Sequence, residues 1–83
     1  MAKVTLYTRV DCHLCEVAHA ALLRVRAERP FELCEIDLDR EASAEKRAAY
    51  DHEVPVVELD ERKIMKYEVE EARLMRLLAL AEP

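Results

Sequence analysis

The sequence predicts an α/β domain of three layers, a small mixed sheet with helices on both faces, and three observations carry that prediction. Hydrophobic spacing alternates between the two-residue repeat of strands and the 3.6-residue repeat of helices, in the order β-α-β-α-β-β-α. The 83 residues suffice for one domain and one small core. A cysteine pair, Cys12 and Cys15, falls where the first strand hands over to the first helix.

Lys3 to Thr8 reads as a strand, with Val4, Leu6 and Thr8 on one face and Thr5 and Tyr7 on the other. From about Cys12 to Glu28 the spacing turns helical: Leu14, Val17, Ala18, Ala21, Leu22 and Val25 share one stripe, and Pro30 prevents continuation. Phe31 to Leu38 alternates again as a second strand, and a crossover helix of this length implies that the two strands run parallel. Asp39 is the expected N-cap of a short helix reaching Tyr50, with Glu41 in its first turn. Val54 to Leu59 is a third strand, opened by Pro55, which has no N–H to give a ladder. Asp60-Glu61-Arg62 forms the turn into an exposed edge strand, Lys63 to Lys66. Val69 to Ala81 closes the chain as a helix that buries Leu74, Leu78 and Ala81, with Leu77 on its flank.

Composition excludes several classes. A chain 52% hydrophobic and 37% charged is a soluble globular domain rather than a disordered acidic segment. Its net charge of −5 repels polyanions, so nucleic acid is not an expected partner. The apolar stretches Val17 to Val25 and Leu74 to Ala81 fall short of the ~20 residues that span a bilayer. Met1-Ala2-Lys3 runs directly into the first strand without an apolar secretion segment, so a cytoplasmic address is expected. The chain is expected to act as a monomer. Gly, Trp, Asn and Gln are absent while Glu and Arg abound, a pattern expected of a thermophile.

Cys12-His13-Leu14-Cys15 gains meaning from its place. The first-turn N–H groups of a helix lack intrahelical partners and, with the helix dipole, present partial positive charge that stabilises a thiolate. Cys12 is placed to be that nucleophile, and Cys15, one turn deeper, to be the resolving thiol. Asp11 disfavours a second negative charge beside it, whereas Arg9, and His13 when protonated, favour one. The expected chemistry is disulfide reduction through a mixed disulfide, on a protein or small-molecule substrate, with an upstream reductant restoring the dithiol.

Leu6-Tyr7-Thr8-Arg9 ahead of the dithiol, Val54-Pro55-Val56, and the closing hairpin and helix resemble the glutaredoxin and thioredoxin superfamily, more closely its short glutaredoxin-like bacterial members. The resemblance covers nearly the whole chain and implies a thioredoxin-like fold with thiol–disulfide oxidoreductase activity. It further implies that the Val54–Pro55 bond is cis beside the dithiol, that Val54 offers main-chain groups to a bound thiol peptide, and that Arg9 meets a glutathione carboxylate. The chain departs from the pattern where glutaredoxins carry Gly-Gly-x-Asp, since Met65-Lys66-Tyr67-Glu68-Val69 stands there. It departs again between the cysteines, where His13 and Leu14 replace the usual proline or tyrosine. Glutathione is therefore one possible reductant and a thioredoxin reductase another, and no tightly bound cofactor is expected.

Cys34 shares an apolar strand face with Ile36 and Leu38 and reads as structural. His19 and His52 read as surface histidines, Tyr7 and Tyr50 as packing residues. Two other functions use the same residues. One is a metal or iron–sulfur module, for which Cys12 and Cys15 are too few ligands by themselves; no metal is assigned. The other is an interaction domain that keeps the fold without turnover.

Overall fold

The structure, a computed structural model, describes residues 1–81. Four strands, β1 (Lys3–Thr8), β2 (Glu32–Asp37), β3 (Val56–Leu59) and β4 (Arg62–Lys66), form one sheet in the order β2-β1-β3-β4. Strand β1 pairs with β2 in parallel and with β3 antiparallel, and β3 pairs antiparallel with β4. Three helices, α1 (His13–Glu28), α2 (Ala44–Tyr50) and α3 (Glu71–Ala81), complete the expected thioredoxin-like βαβαββα order.

Interior position explains why β1 is buried on both faces rather than alternating with solvent. Val4 and Leu6 join Leu22 and Val25 of α1 and Leu74 and Leu78 of α3 in the main core. Tyr7 points the other way, into a smaller cluster with Leu38, Val56 and Tyr50 of α2. In that second layer Glu58 is only 3% exposed, and its carboxylate accepts from Tyr50 Oη at 2.7 Å and Lys46 Nζ at 2.6 Å. Those bonds are what make a buried charge tolerable. Lys46 is held protonated above its ordinary range chiefly by the bond to Glu58, and burial pushes the Tyr50 hydroxyl up.

Several boundaries and faces differ from the sequence expectation. The N-cap of α2 is Ser43, whose Oγ accepts from the Lys46 amide at 3.1 Å, so the helix starts at Ala44. Asp39 cannot serve, because its carboxylate is engaged by Arg9 and the local turn is made by Asp37, which accepts from the Asp39 and Arg40 amides. Strand β2 is shorter by a residue at each end. Strand β3 begins at Val56, after Pro55, and α3 begins at Glu71 rather than Val69. Ala81 is exposed, and so are Leu14 at 52% and Val17 at 49%, because the buried stripe of α1 runs through Cys15, Ala18, Ala21, Leu22 and Val25 and turns those two side chains away from the core.

The β3–β4 turn is tighter than expected, with Arg62 already paired to Leu59. Its central residues Asp60 and Glu61 have φ of 48° and 70°, the positive pair that suits a two-residue hairpin. Beyond it Glu58 pairs with Lys63 and Val57 with Met65, which leaves Ile64 as a bulge. The extra residue lets Ile64 and Met65 both pack on the main core.

Candidate functional site

Cys12 is the N-cap of α1, in extended conformation at φ −109° and ψ 103°. Its sulfur accepts from the Cys15 amide at 3.1 Å, so one of the unpaired first-turn N–H groups points at it. Asp11, with φ at 58°, makes the sharp turn that carries the chain from β1 into this cap. The two sulfurs are joined in a disulfide, and the Cα separation of 5.2 Å is within the range such a bond requires. Cys12 is half-buried while Cys15 is 3% exposed, so Cys12 is the outer residue of the pair. Val10 and Leu14 flank it as exposed apolar residues.

The Val54–Pro55 bond is cis. Neither main-chain group of Val54 makes a backbone hydrogen bond among the described residues. The Pro55 carbonyl accepts from the Tyr67 amide at 2.7 Å, which ties the β4–α3 connection to the proline loop. Tyr67 has φ of 69°, and Glu68 N–H bonds back to Lys66 O at 2.8 Å, closing a γ-turn. Thus the segment standing where glutaredoxins carry glycine adopts a positive φ without one, and its Tyr67 amide is already spent.

Arg9 lies near the dithiol, with its guanidinium held between Asp39 and Asp51. Nε reaches Asp39 Oδ2 at 3.0 Å, Nη2 reaches the Asp39 and Asp51 carboxylates, and Nη1 donates to the Asp51 carbonyl. The clamp holds the start of the β1–α1 loop to the segments before and after α2. Arg9 is held protonated chiefly by the bond to Asp39, and its bond to Asp51 holds that carboxyl below the ordinary range.

A cleft of about 240 Å³ opens beside the sulfurs, lined by Thr8, Arg9, Asp11, Cys12, Cys15, Glu16, His19 and Glu35. From the sequence His19 reads as an ordinary surface histidine, and the fold brings it to the edge of this cleft. Its i,i+4 relation to Cys15, which places both on one helix face, was the signal that it borders the dithiol. Nε2 of His19 faces Glu35 Oε2 of β2 at 3.5 Å. His13, in contrast, is exposed and faces Glu16 at 3.7 Å. Cys34 lies on β2 opposite Thr5, on the α2 side of the sheet and half-buried. Among the described residues no three His, Cys, Asp or Glu side chains are grouped to hold a metal ion.

A four-stranded mixed sheet with a dithiol capping its first helix and a cis-proline before its third strand defines the thioredoxin-fold class. Residues 3–79 match the model of the Glutaredoxin-like domain (DUF836), and the chain belongs to that family. An uncharacterised protein of Mycobacterium tuberculosis is 36% identical over 75 residues, covering 87% of this chain and 77% of its own. A solved structure of a structural-genomics target from X. campestris is similar at 34% identity and TM-score 0.71, covering 96% of this chain and 99% of that one. Thioredoxin-2, described as a component of malaria parasite protein secretion machinery, has the same fold at 15% identity, with TM-score 0.73 over 96% of this chain and 82% of its own. No helix among the described residues is long and apolar enough to cross a membrane.

Proposed function

We propose that this chain is a cytoplasmic thiol–disulfide oxidoreductase in which Cys12 attacks and Cys15 resolves. The observation that carries the reading is the Cys15 amide donating to the Cys12 sulfur at 3.1 Å, at the start of α1. A donor there, with the helix dipole behind it, favours the thiolate over the thiol. In the reduced protein the Cys12 thiolate attacks one sulfur of a substrate disulfide and expels the other as thiolate. The shielded Cys15 thiolate then attacks the Cys12 sulfur of the mixed disulfide, releases the second substrate thiolate and leaves the Cys12–Cys15 bond. The substrate gains two electrons and the dithiol loses two.

Surroundings favour a protein disulfide over glutathione. A glutathione carboxylate would compete with Asp39 and Asp51 for Arg9, and the Tyr67 amide is taken by Pro55. The free main-chain groups of Val54 and the exposed Val10 and Leu14 suit an extended polypeptide carrying a cystine. The test is trapping: Cys15→Ser accumulates a stable mixed disulfide with substrate, and Cys12→Ser forms none. A Cys15→Ser protein that captures no disulfide partner overturns the reading. The reductant is identified by equilibrating the dithiol against glutathione and against a thioredoxin reductase system; a potential near about −270 mV places it with thioredoxin, one of about −200 to −230 mV with glutaredoxins.

A further inference from the structure

Resolution by Cys15 demands that a thiol 3% exposed to solvent lose its proton just before it attacks. Bulk water reaches such a sulfur poorly, so a base beside it governs the rate. The cleft bordering Cys15 holds Arg9 and Asp11 from the β1–α1 loop, Glu16 and His19 from α1, Thr8 from β1 and Glu35 from β2. Arg9 is a cation engaged by Asp39 and Asp51, and accepts no proton. Asp11 is exposed at the turn before Cys12, and Glu16 is exposed and turned toward His13 at 3.7 Å. His19 alone follows Cys15 by four residues, and helical side chains lean toward the N-terminus, over the preceding turn. His19 and Cys15 thus line one cleft, a helical turn apart on α1.

We propose that His19 is the proton acceptor for the Cys15 thiol and that Glu35 positions its ring. This inference rests on the oxidoreductase reading above and deepens it. Glu35 Oε2 faces Nε2 at 3.5 Å, which favours the tautomer with hydrogen on Nε2 and leaves Nδ1 as acceptor. The Cys15 S–H bond breaks as the proton passes to His19, directly or across one water of the cleft. The thiolate forms a bond to Cys12 sulfur, the bond from Cys12 to the substrate sulfur breaks, and the leaving thiolate takes the proton from the imidazolium or from solvent. Thiol, imidazole and carboxylate then stand in the order familiar from activated nucleophiles, here serving the second thiol rather than the first.

The experiment follows reduced protein mixed with 5,5′-dithiobis(2-nitrobenzoate) by stopped flow. One equivalent of coloured thiolate is released when Cys12 attacks and a second when Cys15 resolves, so the two steps are read separately. His19→Gln is expected to slow the second phase about tenfold at pH 7, less than the usual general-base contribution of about 10²–10⁴ because a small fraction of an ordinary thiol is already ionised there, and to leave the first within twofold. The pH profile of the second phase moves up toward the ordinary thiol value of about 8.5, and added imidazole restores His19→Ala. Glu35→Gln gives a smaller slowing of the same phase. A second phase whose rate and pH profile are unchanged in His19→Gln, or a slowing of both phases alike without imidazole rescue, overturns the inference while leaving the oxidoreductase reading intact. Wild-type protein that releases no second equivalent overturns both.

Discussion

The two faces of the sheet are built from different chemistry. Under α1 and α3 the core is continuous and apolar, from Val4 and Leu6 through Leu22, Val25, Leu74 and Leu78. Under α2 the layer is thinner and mixed: Tyr7 and Tyr50 meet edge-on at 5.2 Å, and the buried Glu58 carboxylate is shared between Tyr50 and Lys46. Lys46 Nζ also sits 5.3 Å from the Tyr50 ring centre. The contrast teaches that a short helix of seven residues, with one fully buried side chain, is docked by fixed polar partners where it cannot supply enough apolar area. An apolar face loses stability in proportion to what is removed, whereas a polar network fails when one partner goes and is forgiving when all go together.

Four changes break or sharpen that contrast. Leu22→Ala, on the apolar face, is expected to cost about 3–5 kcal/mol in urea unfolding, since it removes a fully buried side chain and leaves a cavity. Lys46→Met is expected to cost about 2–3 kcal/mol by leaving Glu58 with Tyr50 alone, and the double change Lys46→Met with Glu58→Leu recovers most of that loss. No second substitution on the other face rescues Leu22→Ala in this way. Glu61→Gly, in the hairpin that lies beneath neither helix, should stabilise by about 0.5 kcal/mol, because relief of a positive φ outweighs the added freedom of the unfolded chain.

Acid touches both faces through surface pairs. Asp51 is held below the ordinary carboxylate range by its bond from Arg9, on the α2 side, and Glu71 by its bond from Arg24, which links α1 to α3. In each case the unfolded chain binds the proton more tightly than the folded one. The contribution is therefore complete above the ordinary values of 3.8 and 4.5 and is lost as pH falls through the lowered ones. The urea midpoint should be level above about pH 5 and decline below about pH 4, and Arg9→Gln should flatten that decline.

Much of this was legible from residues alone. Periodicity located all seven elements, and the strand-to-helix position of Cys12 and Cys15 pointed to the dithiol. The cis bond at Pro55 came from family resemblance, because no local physics favours it. What stayed hidden depends on partners distant in sequence. Asp39 has the chemistry of an N-cap, but Arg9, thirty residues earlier, engages it first. Glu58 interrupts an apolar strand for no local reason, and only the fold brings Lys46 and Tyr50 to it. Leu14 and Val17 fit the helical stripe, yet spacing alone cannot show that the buried face of α1 is centred on Cys15, Ala18 and Leu22 and leaves those two at its edge. The pairing of His19 with Glu35 was unreadable because the two lie on different elements.

Asp11, Asp60, Glu61 and Tyr67 occupy left-handed backbone positions in a chain that contains no glycine. Each such position strains the native protein slightly, but the same economy narrows the range of shapes open to the molted chain once its contacts are gone. Part of whatever heat resistance this protein has would then originate in the denatured ensemble, where no inventory of native contacts can register it.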